Sequence, residues 1–395
     1  MNPEAEERLD MAAERLRSHG VTRVESYAWR DLDDPEAGGS EIHADEIFSR
    51  WASVGVDVHH RTSTHDTPRA FQRNGYQVTQ RGGRFDVFAR VVARQALRRR
   101  PRNTATIEIW NGVPWLGPVW APRRRVVWMH HVHREMWDDA LPSPLNHLGR
   151  LIETRIAPLL YRRSQFATLS ESSASEIRQL GISSRRLAVI PPGVHERFVP
   201  GPTVRSATPN VVVVGRLAPV KRQCLALDAA CAARERVPEL TVDVIGDGPD
   251  RALVDAWVQQ HDAAGWVTIR GRVDDDELVA AYQRAWIVVS ASYAEGWGMS
   301  LTEAGACGTP CVATDIAGHR GAALDGRTGV LVDADLLGAA IVEVLQNDDR
   351  RDVMGRCAIV HASTLSWTAV AARQMDVLSD RLDADRRRVG QRGVR

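Results

Sequence analysis

The sequence predicts an α/β protein made of two doubly wound, Rossmann-like parallel-sheet domains facing a central cleft. Three observations carry that expectation. At 395 residues the chain exceeds what one hydrophobic core usually spans. Its second half alternates strand-like runs with helical segments, the order that a parallel sheet covered on both faces requires. Between the halves, VIPPGVHERFVPGPTVRSATP (Val189 to Pro209) holds five prolines and two glycines without periodicity, as a connection between domains would.

In the first half, Val24 to Ala28 reads as the opening strand. Glu41 to Ala52 follows as a helix, with Ala44, Ile47, Phe48 and Trp51 at helical spacing. Val56 to Thr62, Thr106 to Trp110, Arg125 to Met129 and Gln165 to Leu169 are further strands. In the second half, the β-branched run Asn210 to Val214 is a strand, Cys224 to Arg236 a helix, Leu240 to Ile245 a strand and Asp250 to His261 a helix. The alternation continues through strand Trp266 to Arg270, helix Asp274 to Arg284, strand Trp286 to Ser290, helix Ser300 to Cys307 and strand Cys311 to Thr314. Asp274 and Glu277 have capping-box spacing at a helix start.

Composition narrows the function. Apolar residues at 44% and charged residues at 26% suit a globular protein, and a net charge of +1 gives no global pull toward nucleic acid. Five cysteines, all after residue 200 and without a CxxC pair, argue against a disulfide framework or zinc site and for a reducing compartment. The charged N-terminal stretch and the lack of an apolar run of about 18 residues predict a cytoplasmic protein. Of 51 basic residues only Lys221 is a lysine, which singles it out in a chain that otherwise uses arginine.

Chemistry concentrates at two strand ends. Directly after the strand ending at Val214 comes GRLAPVK (Gly215 to Lys221), which sets Arg216 and Lys221 at the carboxyl edge of a sheet, where two cations suit a diphosphate. After the strand ending at Ser290 comes EGWGMSLTE (Glu295 to Glu303). Gly296 and Gly298 permit close backbone approach, the N–H groups of Met299 and Ser300 open a helix toward an anion, and Glu295 and Glu303 bracket the loop. Glu303 suits the vicinal hydroxyls of a ribose and Glu295 a sugar hydroxyl. Taken singly, any of these reads equally as a surface turn or a capped helix.

GRLAPVK followed some eighty residues later by EGWGMSLTE resembles the donor-site signature of the retaining glycosyltransferases of family 4, which have the GT-B fold. EAGGSEIHADEIFSRW (Glu36 to Trp51) is similar to the family's glycine-rich first loop and helix, and VVWMHHVHREMW (Val126 to Trp137) to its histidine-ending strand. LSESSASEIRQLGISSRRLAVIPPGV (Leu169 to Val194), IGDGP (Ile245 to Pro249) and GRVDDDEL (Gly271 to Leu278) match further family elements. The resemblance implies that Arg216 and Lys221 hold a donor diphosphate, helped by the backbone of Gly39, Met299 and Ser300. It implies that Glu303 binds the ribose and the backbone around Arg272 and Val273 the base. Glu295 and His130 would act at the transferred sugar, with Gly296, Trp297 and Gly298 lining its site.

The resemblance further implies a retaining, metal-independent transfer from a UDP- or GDP-linked sugar to a saccharide, natural product or lipid-linked hydroxyl, with no separate cofactor and no nucleic-acid partner. Other readings are a GT-B relative of different chemistry, such as a phosphorylase or nucleotide-sugar epimerase, and a noncatalytic nucleotide-sugar-binding protein. A pyridoxal-dependent phosphorylase is disfavoured because the one lysine already stands in the diphosphate motif.

Several features need separate weighing. His130, His131 and His133 have no acidic partner at metal spacing, and the Asp-rich triplets at 31, 274, 333 and 383 are what an aspartate-rich chain produces by chance, so no metal is expected. DIAGHRGAAL (Asp315 to Leu324) departs from the family in carrying His319 and Arg320 where an acid often follows the glycine. Trp110, Trp115, Trp120, Trp128 and Trp137 suit an acceptor platform or a core equally. ARVVARQALRRRPR (Ala89 to Arg102) is read as a solvated basic face, with peripheral membrane contact the lesser expectation. The expected division is an acceptor-side domain over 1–198, a linker at 199–209 and a nucleotide-sugar domain at 210–365. A C-terminal helix at 366–382 that packs back on the first domain and a flexible tail at 383–395 complete it.

Overall fold

A computed structural model describes residues 3–392 apart from Glu36, Glu135 and Pro202. The chain divides into two compact units. Unit 1 comprises residues 1–193 and 367–395, and unit 2 comprises 194–366.

Unit 1 is built on eight strands: β1 (Arg23–Tyr27), β2 (Asp57–Thr62), β3 (Arg69–Arg73), β4 (Tyr76–Gln80), β5 (Thr104–Ile109), β6 (Arg125–Trp128), β7 (Gln165–Thr168) and β8 (Leu187–Val189). They lie in the order β3-β4-β2-β1-β5-β6-β7-β8, parallel throughout except for the β3–β4 hairpin. The hairpin has no counterpart among the sequence expectations, because RAFQR in β3 leaves its side chains mostly exposed and shows no apolar alternation. β5 and β6 are buried at every position, as parallel strands covered on both faces are.

The five tryptophans between Trp110 and Trp137 are all buried. Trp110 packs with Tyr161 and Phe166, and Trp115 with Tyr27 and Phe88. The cluster is core, and the platform alternative falls.

Unit 2 has six strands: β9 (Asn210–Val214), β10 (Thr241–Ile245), β11 (Val267–Gly271), β12 (Ile287–Ser290), β13 (Cys311–Thr314) and β14 (Gly329–Val332). All are parallel, in the order β11-β10-β9-β12-β13-β14. Counted from β9, that is the Rossmann order 3-2-1-4-5-6, so the direction of winding reverses between β9 and β12. Ligands in such sheets bind outside the carboxyl ends of the strands at that reversal. The core beneath is aliphatic, with Val211, Val213, Leu227, Val244, Ile287 and Val312 among its members. The helix Asp275–Arg284 begins with Asp274 accepting from the Glu277 amide at 2.8 Å, as the capping spacing implies.

The chain passes from unit 1 to unit 2 at Gly193, earlier than the expected linker. Val194 donates its N–H to Leu365 O at 2.9 Å and bridges to Ser366, which commits it to unit 2. The 199–209 stretch is pinned there too: Arg205 donates to the carbonyls of Ala285 (2.9 Å), Trp286 (3.3 Å) and Gly308 (3.1 Å).

The C-terminal helix Trp367–Arg392 belongs to unit 1, where Arg50 and Trp51 of the Gly39–Ser53 helix bond to Thr368 and Ala371. The expected flexible tail from Asp383 is helical as far as Arg392. Arg15 of the Pro3–Ser18 helix anchors its start through Asp376, Asp380 and Asp383, at 3.2, 2.5 and 2.8 Å. Residues 393–395 lie outside the described residues.

Candidate functional site

At the unit 2 reversal, the loops leaving β9 and β12 meet. Gly246 lies so close to the Gly215 carbonyl that a Cβ would overlap it, and the Leu217 amide bonds Asp247 O at 3.0 Å, so the GRLAPVK and IGDGP loops pack backbone to backbone. Arg222, in a left-handed conformation, donates to the carbonyls of Ala291 (2.7 Å) and Ser292 (3.3 Å) and ties the first loop to the one after β12. The Tyr293 amide adds a bond to Val220 O at 3.1 Å.

That tie brings Lys221 to Glu295. Their Nζ and Oε1 atoms are 2.8 Å apart, with Glu295 only 8% exposed. Ser292 Oγ also donates to Oε1 of Glu295. His319, fully buried, completes the group. Its Nδ1 donates to Thr314 O at 2.7 Å, since a carbonyl only accepts, and its Nε2 stands 3.2 Å from Ser290 Oγ and 3.5 Å from Glu295 Oε1. Burial alone pushes the Glu295 carboxyl up, but the Lys221 ammonium, and His319 after it, hold it well below the ordinary range. Gly318 permits this approach, because a Cβ there would overlap the Glu295 backbone.

Glu303 sits one turn inside the helix Met299–Ala306 and accepts from Tyr282 OH at 3.0 Å. Burial pushes its carboxyl up to about 7, partly offset by Tyr282, Arg197 and Lys221. Gly298 precedes this helix. Met299 N–H donates to Trp297 O at 3.1 Å, so of the two amides expected to face an anion one is turned into the loop, while Ser300 follows as the second helical residue. Trp297 is buried, and a Cβ at Gly321 would meet its indole edge at 2.5 Å. Gly296 and Arg216 are partly exposed on the same two loops, whereas Arg272 and Val273 lie on the loop after β11, at the carboxyl edge of the same sheet.

Unit 1 has its own reversal between β1 and β5. Gly39 opens the helix Gly39–Ser53 there. The Gly38 amide donates to Glu41 Oε2 at 2.8 Å, and Asn111 after β5 donates to Ser40 Oγ at 3.3 Å. His130 follows β6 and is 3% exposed, in edge-to-face contact with His43 at 4.8 Å between ring centres. Burial lowers His43 to about 3, and burial with His43 and His131 beside it holds His130 well below the ordinary histidine range, so both rings are neutral. Among the described residues neither ring nitrogen of His130 or His43 has a hydrogen-bond partner.

His133 faces the buried Glu153, which accepts from the amides of His133 and Arg134 and from Trp137 Nε1 at 3.0, 3.2 and 2.9 Å. Among the described residues no cluster of three His, Cys, Asp or Glu side chains is placed to hold a metal ion, and no helix is long and apolar enough to cross a membrane.

The family models now bear on this geometry. Residues 199–361, which hold the whole of the β9 to β13 edge, match the model described as glycosyl transferases group 1, and residues 37–198 match that described as glycosyltransferase family 4. The chain belongs to glycosyltransferase family 4.

This glycosyltransferase is 28% identical over 396 residues to the D-inositol 3-phosphate glycosyltransferase of Kribbella flavida, across 86% of this chain and 91% of the relative. It is 29% identical over 295 residues to the GDP-mannose-dependent alpha-(1-6)-phosphatidylinositol monomannoside mannosyltransferase of Mycolicibacterium smegmatis, across 68% and 74%. In fold the glycosyltransferase matches the sucrose-phosphate synthase of Thermosynechococcus elongatus with a TM-score of 0.76 at 21% identity, over 92% of this chain and 100% of that one. The GT-B architecture expected from the resemblance is thereby shown.

Tyr282, Arg222, Ser292 and Arg197 were not read as site residues from the sequence. Tyr282 lies in an ordinary amphipathic helix, and Arg197 in the proline-rich stretch, so neither carries a local signal. His319 was visible only as a departure from the family pattern.

Proposed function

We propose that this glycosyltransferase moves a sugar from a UDP- or GDP-linked donor to an acceptor hydroxyl, retaining configuration at the anomeric carbon and requiring no metal. The observation that carries the reading is the Lys221–Glu295–His319 group at the unit 2 reversal. It offers an ammonium for diphosphate charge next to a carboxylate for a sugar hydroxyl, at the place where a doubly wound sheet binds nucleotides. The GDP-mannose in the name of the Mycolicibacterium smegmatis relative supports a nucleotide-sugar donor.

In this reading the acceptor oxygen bonds to the anomeric carbon as the bond to the diphosphate breaks, and the acceptor proton passes to the departing phosphate oxygen. Lys221 and Arg216 stabilise that charge, Glu295 holds the sugar, Glu303 accepts from the ribose, and the neutral His130 meets a sugar hydroxyl. Arg272 and Val273 border the base. The acceptor is a saccharide, natural product or lipid-linked alcohol, and the protein works in the cytoplasm.

Thermal stabilisation by UDP, GDP, ADP and dTDP, each with and without EDTA, tests the reading. One nucleotide at about 100 times its dissociation constant should add roughly 2.7 kcal/mol irrespective of EDTA, and Lys221→Ala should lose that gain. Stabilisation that needs a divalent ion, or none at all, would refute it.

A further inference from the structure

The basic stretch from Ala89 to Arg102 is not simply a solvated face. It forms much of the helix Asp86–Leu97 and the turn after it, and this helix closes one side of a cavity of about 140 Å³ against β1, β2 and β4 of unit 1. Arg61, Arg94, Arg98, Gln95, Tyr27 and Glu25 line it. The one acid is already neutralised: Glu25 takes Arg98 on Oε1 at 3.0 Å, and Arg100 and Tyr27 OH on Oε2, each at 2.9 Å.

Arg61 and Arg94 remain. Among the described residues neither has an acidic partner, and Arg61 Nε is buried without a hydrogen bond. Burial, and then the neighbouring Arg94, Arg81 and Arg90, pull the Arg61 guanidinium below its ordinary value. A half-buried cation crowded by like charges and facing a cavity is unfavourable as it stands, and an anion between the guanidinium groups adds an attraction to each that offsets the burial cost and the mutual repulsion. Guanidinium forks match the oxygens of a phosphate, and Gln95 Oε1, buried and also unpartnered, leaves an acceptor for a donor hydroxyl such as the P–OH of hydrogen phosphate.

We propose that this cavity binds a phosphate dianion between Arg61 and Arg94, supplied either as free phosphate or as the monoester headgroup of a lipid. The site lies wholly within unit 1 and does not depend on the donor assignments made for unit 2.

Titration calorimetry with inorganic phosphate, against chloride at equal ionic strength, is the direct test. It is run on the full chain in a Lys221→Ala background to remove the unit 2 ammonium. The parent should bind phosphate, Arg61→Gln and Arg94→Gln should each weaken it by about tenfold or more, and Arg8→Gln on the first helix should leave it unchanged. Arg94 is exposed, so its variant reports on the site even if Arg61→Gln misfolds. Cosedimentation with vesicles of phosphatidic acid in phosphatidylcholine separates the sources. Vesicle binding lost in Arg94→Gln assigns the lipid monoester, and phosphate binding without vesicle binding assigns a soluble one. Absence of phosphate binding, an equal response to chloride, or unchanged affinity in Arg94→Gln overturns the proposal.

Discussion

The two sheet reversals are built in opposite ways. In unit 2 the reversal holds ionised groups that are mutually satisfied, with Lys221, Ser292 and His319 all converging on Glu295. In unit 1 it holds neutral rings that are not satisfied, His43 and His130, packed edge to face, with Trp128 and Trp367 against His43. A preformed charged group suits a ligand that arrives charged, because its geometry is set before binding. A buried neutral imidazole with both nitrogens open suits a hydroxyl, to which it can donate or from which it can accept. The contrast teaches that the proposed role of His130 in unit 1 can be tested separately from the proposed diphosphate binding by Lys221 in unit 2.

The largest effect should come from the charged side. Lys221→Ala removes the ammonium and leaves Glu295 buried beside a weaker partner, so transfer should fall by roughly 10²- to 10³-fold along with nucleotide stabilisation. Steady-state rates with the stabilising donor would check it, and a variant within tenfold of the parent would break the comparison from that side.

His130→Ala should act differently. Turnover should drop by about tenfold to a hundredfold, the equivalent of one hydrogen bond to a group carrying developing charge, while nucleotide stabilisation stays at the parental level. Parallel melting and rate measurements decide this. Loss of nucleotide stabilisation in that variant would mean that the two reversals are not independent.

The smallest effect is a pH dependence. In its proposed role Glu303, lifted to about 7 by burial, releases its proton to accept from both ribose hydroxyls, so nucleoside diphosphate affinity should rise with pH and level off above about 7. The same shift means that the ligand-free fold holds the neutral carboxyl more readily than the unfolded chain does. Its contribution to stability is whole below the ordinary carboxylate range and is lost as pH climbs through about 7. Glu303→Gln should flatten both profiles, and an unchanged pH dependence of affinity in that variant would remove Glu303 from the nucleoside site.

The fold was legible where strands are buried on both faces. Asn210–Val214 announces itself by the unbroken run of four valines after Asn210, Thr104–Ile109 by β-branched residues interrupted only by Ala105 and Glu108, and the capping of Asp275–Arg284 by Asp274 is a local bond between neighbours in sequence. The β3–β4 hairpin carries no such run, and the apolar runs of β8 (LAV) and β14 (GVLV) are too short for periodicity to separate strand from helix. The Pro3–Ser18 helix hides Leu9, Ala12, Ala13 and Leu16 among charges, and its role shows only once Arg15 meets Asp376, Asp380 and Asp383, more than 360 residues away in the chain.

Of the site, the sequence by itself determined the residue types and their order: one lysine seven residues after the end of a strand, two glutamates about a turn and a loop apart, and glycines where backbones must touch. These are short-range facts, set by local dihedral freedom and periodicity. Tertiary structure alone decided that His319 would close on Glu295, that Tyr282 would hold Glu303, that five tryptophans would be core, and that Arg61 and Arg94 would share one cavity whose acid, Glu25, is paired with other residues. Those outcomes depend on which strands lie side by side and on how far water is excluded from each charge, quantities that a linear chain does not contain.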